Sequence, residues 1–248
     1  MKNNNHKCKG FTITELAIVL VIMGLLVAGT LGGRELLSLG KLKAVISEIE
    51  TYQIAVNNFE QQYDGLPGDL SRATSFWAAE TVDGNADGHI GTGAVGDDTE
   101  VYYAWDQLSL AKIISGSYTG IGTAAITGTN VPSSSHIDGA GYSLSYFASP
   151  FSTLTTTTVT YKDSLGRIFP KNYIILGKNH ANDNFLSTAI ITTDNAHYID
   201  SKIDDGTPDF GSVLSANGEG GGAECTSGSY IYNLTTSPAD CIMAFSLE

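Results

Sequence analysis

The stretch Cys8–Gly29, CKGFTITELAIVLVIMGLLVAG, decides what fold this chain can adopt, because it joins a long apolar run to a single acidic residue. Leu16 to Gly33 form 18 consecutive residues without a formal charge, between Glu15 and Arg34. As an α-helix this segment would be about 27 Å long, close to the hydrocarbon thickness of a bilayer. A carboxylate inside a membrane segment costs roughly 2.5–3.5 kcal/mol on insertion scales, so Glu15 requires a functional explanation.

The residues before the apolar run set its orientation. Lys2, Lys7 and Lys9 precede the run, and no acidic residue occurs before Glu15. Positively charged flanks stay on the cytoplasmic side, so we expect the rest of the chain to be translocated.

Three interpretations of this N-terminus are open. A secretory signal peptide would be cut after the small residues Val-Ala-Gly at 27–29. A plain membrane anchor would not be cut. A third kind of leader would be cut before the apolar segment, between Gly10 and Phe11, and would leave that segment on the mature protein.

The third interpretation rests on a close resemblance. Residues 9–16, KGFTITEL, followed by the apolar run, resemble the prepilin peptidase motif of type IV pilins and type II secretion pseudopilins. The resemblance implies that the leader 1–10 is removed after Gly10 and that the new N-terminal residue, Phe11, is N-methylated. It also implies that Glu15 is the acidic hallmark of the family, four residues beyond Phe11.

This resemblance gives the Glu15 carboxylate a physical role. Cleavage after Gly10 would create a cationic amine at Phe11, which a carboxylate one helical turn away can neutralise in the same or a neighbouring chain. In a filament of packed helices, the pairing between subunits would set their stagger. The simpler alternative is that Glu15 only extends to the membrane interface.

A second apolar pattern predicts that the helix continues to residue 63. Apolar residues recur there at steps of three and four: Leu42, Val45, Ile46, Ile49, Tyr52, Val56, Phe59 and Tyr63. Turn residues at 64–69 then end the helix. We therefore predict a leader at 1–10, a helix at 11–63 with its membrane span at about 14–34, and a globular head at 64–248.

The sequence of the head predicts a mixture of short helices and strands. Helices are predicted at 100–114 and, with Asp194 as N-cap, at 195–203. Strands are predicted at 141–148, 155–161, 172–178 and 187–193, which are rich in Thr, Tyr, Ile and Val. Together with the resemblance, this pattern implies an α+β, type IV pilin-like fold in which the long helix packs on a head with a small antiparallel sheet.

Charge and cysteine content narrow the function classes. The chain has 26 acidic against 13 basic residues, a formal net charge of −13, which argues against a nucleic-acid surface. Of three cysteines, Cys8 precedes the span, whereas Cys225 and Cys241 follow it. The latter two are predicted to form a disulfide in an oxidising compartment. The resemblance adds that a disulfide-bounded loop near the C-terminus is typical of type IV pilins.

One loop carries half of a calcium-binding pattern. Asp83, Asn85 and Asp87 place oxygen ligands at alternate positions before a glycine, as in the first half of an EF-hand loop. The position of the bidentate glutamate is Ala94, and Asp97, Asp98 or Glu100 would have to substitute at altered spacing. The alternative is a polar turn whose side chains bond their own backbone. A second group of acidic residues, at 200–209, is predicted to form a turn.

The sequence favours assembly over catalysis. None of the five histidines lies in a metal or nucleophile motif, so we predict that the chain is not an enzyme. We predict a filament subunit of a type IV pilus or a type II secretion pseudopilus, first in the inner membrane with its head in the periplasm. Its partners would be prepilin peptidase, an inner-membrane assembly platform, and identical or related pilin subunits. The alternatives are a minor tip pilin whose head binds a substrate or surface, and a membrane-targeted periplasmic enzyme.

Overall fold

The structure, a computed structural model, describes residues 11–91, 100–147, 171–181, 183–220, 225–227, 231–234 and 239–247. Helix α1 is a continuous 51-residue helix, Ile13–Tyr63. The head contains the shorter helices α2 (Ala73–Trp77), α3 (Glu100–Leu110) and α4 (Thr193–Ile203), with a 3-10 turn at Ala78–Glu80. The sequence predicted the first helix over 11–63, so the observed helix begins two residues later.

Within the described residues, five strands form one antiparallel sheet, with the strands β1 (Gly141–Phe147), β2 (Lys171–Gly177), β3 (Ile191–Thr192), β4 (Val213–Asn217) and β5 (Ala239–Ser246). The order is β1-β2-β5-β3, and β4 also pairs with β5. The C-terminal strand β5 is therefore central. Strand β4 pairs with it on one side, and on the other side β2 pairs with its C-terminal half and β3 with its N-terminal half. This arrangement confirms the α+β class: a long N-terminal apolar helix followed by a globular part with a small antiparallel sheet.

The chain divides into two units, Met1–Lys41 and Leu42–Glu248. The second unit includes the C-terminal part of α1, whose apolar stripe lies in the core. Val45, Ile49, Val56 and Phe59 are each at most 1% exposed. Complete burial of such side chains contributes about 1.5–3 kcal/mol each, so this stripe is a main source of stability for the head.

Aromatic rings join helix α1 to the rest of the core. The Tyr52 ring lies 5.1 Å from the ring of Trp105 on α3 and 5.1 Å from that of Tyr142 on β1. Trp105 and Tyr142 are fully buried. Tyr52 is thus the meeting point of α1, α3 and the sheet.

Helix α3 is shorter than predicted, ending at Leu110 instead of residue 114. Lys112 adopts a left-handed conformation with φ of 59°, which no α-helix can continue through. The amide of Ile113 then bonds the carbonyl of Leu108 at 3.1 Å, as in a Schellman ending.

Helix α4 begins earlier than predicted and has a different cap. Its N-cap is Thr192, whose side chain accepts a hydrogen bond from the Asn195 amide, and Asp194 lies inside the first turn. The prediction of Asp194 as the cap was therefore wrong. Threonine and aspartate are both common caps, and only the backbone conformation separates them here.

The predicted strands agree with the observed strands to different extents. Those at 141–148 and 172–178 correspond to β1 and β2, while the one at 187–193 is reduced to the two residues of β3. The predicted strand at 155–161 lies outside the described residues. Strands β4 and β5 were not predicted.

Candidate functional site

The start of α1 is built as a reciprocal cap between Thr12 and Glu15. The Thr12 amide and its hydroxyl each donate to Oε2 of Glu15 at 2.8 Å. In return, the Glu15 amide donates to Thr12 Oγ1 at 3.3 Å. This is the capping box of the pattern Thr-x-x-Glu, which satisfies amide groups that the first helical turn leaves unpaired.

The capping box shows where the Glu15 carboxylate is held before any processing. In the unprocessed chain the nitrogen of Phe11 belongs to a peptide bond, so it carries no charge for Glu15 to neutralise. Phe11 itself is 86% exposed, and Gly10 lies outside the described residues. The sequence reasoning missed this capping role, although the signal was present in residues 12–15.

The apolar part of α1 directly follows this cap. Ile13–Thr30 is long and apolar enough to cross a membrane, and none of it is buried within the protein. The described side chains therefore offer a continuous apolar surface that a bilayer or other apolar helices would cover.

The comparisons with known proteins identify the same segment. The family model of the prokaryotic N-terminal methylation motif matches residues 5–31. The chain carries the type IV pilin and pseudopilin signature. No curated protein and no solved structure matches the chain. The signature thus covers the N-terminal segment and does not extend into the head.

The matched segment contains the residues that the sequence singled out. Gly10, Phe11 and Glu15 all lie inside the matched segment. Their positions combine a small residue, an exposed aromatic residue and a capped carboxylate at one edge of an apolar helix.

In the head, the predicted calcium loop is divided between two sets of contacts. The Asp83 carboxylate accepts from the Thr74 amide at 2.7 Å and from its hydroxyl at 3.0 Å. Asn85 Oδ1 accepts from the Asp87 amide at 2.9 Å, as expected for a turn that bonds its own backbone. The structure therefore brings Asn85 and Asp87 together and engages Asp83 with helix α2.

Asp87 belongs to a cluster with Asp69 and Glu100. Carboxylate oxygens of these three residues lie within 4.8 Å of one another, and Asp69 and Glu100 are buried. Asp69 accepts from the amides of Asp87 and Gly88 at 3.0 and 2.9 Å. Glu100 had been named as a substitute ligand, whereas Asp69 was missed because it precedes the loop and no spacing rule connects them.

The cluster is electrostatically unfavourable when fully ionised. Burial raises the pKa of Asp69, and amide hydrogen bonds only partly oppose this effect. Burial also raises the pKa of Glu100, to which Asp69 and Asp87 add repulsion. Three adjacent carboxylates are best accommodated by a shared proton or by a cation.

The predicted disulfide between Cys225 and Cys241 is present. Cys241 lies in β5, and Cys225 is held by its amide, which donates to Asn217 Oδ1 on β4 at 2.7 Å. Both cysteines are fully buried. The bond therefore fastens the intervening segment to the central strand of the sheet.

The acidic group at 200–209 forms a turn, as expected. Asp204 accepts from the amides of Ser212 and Val213, and Asp205 accepts from the Thr207 amide at 2.8 Å. Asp200 is fully buried and accepts from the Tyr232 hydroxyl at 2.7 Å. Burial raises the pKa of Asp200 to about 7, and the charges of Asp205 and Asp204 contribute.

The described histidines have structural contacts. His180 lies between two carboxylates, 3.0 Å from Asp183 Oδ2 and 2.7 Å from Glu219 Oε2. His136 lies two residues after Ser134, but the Ser134 hydroxyl donates to Glu48 at 2.9 Å, so the two do not form a nucleophile and base pair.

Proposed function

We propose that this chain is a structural subunit of a type IV pilus-like or type II secretion pseudopilus filament. The match of residues 5–31 to the N-terminal methylation motif is the observation that carries the proposal. Prepilin peptidase would cut between Gly10 and Phe11 and methylate the new amine of Phe11. The apolar half of α1 would first lie in the inner membrane and then form the filament core.

The capping box supports a two-stage role for Glu15. In the unprocessed chain the carboxylate bonds Thr12 and stabilises the helix start. After cleavage, the amine of Phe11 would lie beside the same carboxylate, in its own chain or in a neighbour. Charge neutralisation would then favour helix packing in an apolar core, since an unpaired carboxylate is costly there.

Three variants separate the charge of Glu15 from its capping role. Glu15→Gln keeps a side-chain acceptor for the Thr12 amide but removes the charge. Glu15→Ala removes both, and Thr12→Ala removes the hydroxyl but keeps the charge. Each would be expressed in cells that contain the assembly system, and the chain would be quantified in membranes and in sheared filaments.

We expect all three variants to insert in the membrane, because the apolar segment is unchanged. Glu15→Gln and Glu15→Ala should both be absent from filaments, while Thr12→Ala should still be incorporated. Normal incorporation of Glu15→Gln would show that capping, not charge, is what Glu15 supplies, and would refute the pairing.

The remaining parts of the proposal concern location and partners. The Lys residues before the span would stay in the cytoplasm, and the head would lie in the periplasm before assembly. An inner-membrane assembly platform and related pilin subunits are the proposed partners. Co-purification of the chain with the platform protein, dependent on an intact apolar segment, tests this part.

The calcium site remains a separate proposal for the head. The predicted ligands were Asp83, Asn85 and Asp87, and the observed cluster adds Asp69 and Glu100. Calcium should raise the melting temperature of the mature chain in detergent, and Asp87→Asn should abolish the effect. Asp83→Asn serves as the comparison, since its carboxylate is engaged with Thr74. Equal melting temperatures with calcium, magnesium and chelator would eliminate the site.

A further inference from the structure

A cleft of about 290 Å³ lies between α3 and the two segments that flank it in sequence, 79–82 and 118–121. Its walls combine Tyr103 and Asp106 of α3, Tyr118, and Glu80 of the 3-10 turn. The filament role described above uses none of these residues. Two aromatic rings beside two carboxylates form a type of surface that recognises organic cations.

Asp106 is the buried acid of this cleft. It is only 8% exposed, and burial raises its pKa to about 6, with a hydrogen bond to Thr81 opposing the shift and Glu80 adding repulsion. Among the residues that the structure describes, no Lys or Arg forms an ion pair with Asp106. Because this pKa lies below 7, the carboxylate is largely ionised at neutral pH, and no cation in the described part of the head pairs with it.

The geometry at Gly120 shows how closely the ring and the acid adjoin. A Cβ atom built on Gly120 would lie 2.6 Å from Cδ1 of Tyr103 and 3.2 Å from Oδ2 of Asp106. Gly120 thus packs directly against both groups, and a larger residue would displace the ring or the carboxylate. The Tyr103 ring and a carboxylate oxygen of Asp106 therefore adjoin each other at this side of the cleft.

Tyr118 forms another part of the lining and is fixed in position. Its ring lies 6.4 Å from that of the buried Trp105, and its hydroxyl donates to the Ser115 carbonyl at 3.3 Å. A fixed ring loses little conformational entropy when a ligand stacks on it, which favours binding.

The rim of the cleft is apolar and exposed. Ile121 is 78% exposed and Val82 is 48% exposed. Exposed aliphatic side chains around a charged cleft suit a ligand that continues into a polypeptide, because the neighbouring residues of that polypeptide would cover them.

We propose that this cleft binds an arginine side chain of a protein partner, with the guanidinium paired to Asp106 and stacked on Tyr103. Arginine fits better than lysine because its planar group can both stack on a ring and donate two parallel hydrogen bonds to a carboxylate. The binding gives the head a ligand class beyond its filament role. Its test needs no assembled filament, so either proposal can fail alone.

The test uses the full mature chain in detergent and two small probes. N-acetyl-arginine amide is the ligand probe, and N-acetyl-citrulline amide is its uncharged isostere. The Gly120 amide resonance reports occupancy of the cleft, and titration calorimetry gives the affinity. Asp106→Asn removes the charge, Gly120→Ala displaces the Tyr103 ring with the charge retained, and Asp138→Asn changes an exposed acid elsewhere as a control.

We expect saturable binding of the arginine probe and at least about tenfold weaker binding of the citrulline probe, because citrulline lacks the positive charge that pairs with the buried carboxylate. Asp106→Asn and Gly120→Ala should no longer bind the arginine probe, and Asp138→Asn should bind it like the wild type. Melting temperatures confirm that each variant is folded. Equal binding of both probes, undiminished binding by Asp106→Asn, or no binding of either probe would overturn the proposal.

Discussion

The hydroxyl of Tyr232 donates a 2.7 Å hydrogen bond to the buried carboxylate of Asp200. Tyr232 lies within the segment that the Cys225–Cys241 disulfide closes, and Asp200 lies on helix α4. The bond therefore attaches the disulfide-bounded segment to the helix. Asp200 is buried close to two other carboxylates, Asp204 and Asp205. The stability of the head is therefore sensitive to pH.

The contribution of Asp200 to the stability of the head should fall as the pH rises from about 4 to about 7. Its pKa is raised to about 7 in the folded state, from about 3.9 in an unfolded chain, so the folded state holds the proton more tightly. The stabilising contribution is therefore complete below pH 4 and lost above pH 7. A shift of this size corresponds to about 2–4 kcal/mol.

Asp200→Asn isolates this contribution from those of the other groups nearby. An Asn amide can donate to the Tyr232 oxygen, since Tyr232 can then donate to Ser215 Oγ at 2.8 Å. His197 packs on the Tyr232 ring and is unchanged in the variant. Urea unfolding gives the free energy of unfolding at pH 4.5 and at pH 7.5. The change in this free energy between the two pH values should be smaller for Asp200→Asn than for the wild type. Identical pH differences would contradict the assignment.

Glu48 should be a major attachment of α1 to the sheet. Its carboxylate accepts from the Tyr142 hydroxyl at 2.5 Å, the Ser134 hydroxyl at 2.9 Å and the Ser135 amide at 3.0 Å. Burial alone would raise the pKa of Glu48, but these donors outweigh it and the net pKa is lowered. Glu48→Ala should destabilise the head by about 2–3 kcal/mol, because it leaves the Tyr142 hydroxyl poorly satisfied.

The control for Glu48 is Glu50→Ala, two residues along the same helix, where the side chain is exposed. Thermal unfolding of both variants in the same detergent gives the comparison. We expect a fall in melting temperature of about 4–10 °C for Glu48→Ala and little change for Glu50→Ala. Similar values for the two variants would mean that the Glu48 contacts contribute no specific stability.

Removing the disulfide should destabilise the head. Cys225 and Cys241 are separated by 16 positions, and closing a loop of this length contributes about 3 kcal/mol in the chain-entropy account. Cys225→Ala combined with Cys241→Ala should lower the melting temperature, and reductant should lower that of the wild type by a similar amount. Reductant should leave the double variant unchanged. An unaltered melting temperature in the double variant would refute this role.

Local patterns explain which parts of the fold were predictable. Gly10, Phe11 and Glu15 lie close together in the sequence at the edge of an apolar run, so their spacing can be recognised directly. The apolar stripe at 42–63 follows helical periodicity. The capping box at Thr12 was equally local and was missed because Glu15 already had a proposed role. Strand β5 was missed because it is central and buried, so it lacks the alternation of a half-exposed strand.

Contacts between distant residues explain the rest. Glu48 and Tyr142 are 94 residues apart, and Asp69 meets Asp87 across 18 residues. No spacing in the sequence indicates either contact, because the first depends on how α1 docks on the sheet and the second on how two loops pack against each other. The cleft at Asp106 likewise needs Gly120 and Tyr103 to be brought together by folding.

The most direct test of the account is the N-terminus of the mature protein. Intact mass and N-terminal sequencing should be performed on the chain recovered from membranes that contain prepilin peptidase. The account predicts that residues 1–10 are absent and that the chain starts at Phe11 with one added methyl group. A mature chain that starts near residue 30, or one that retains its leader, would contradict it.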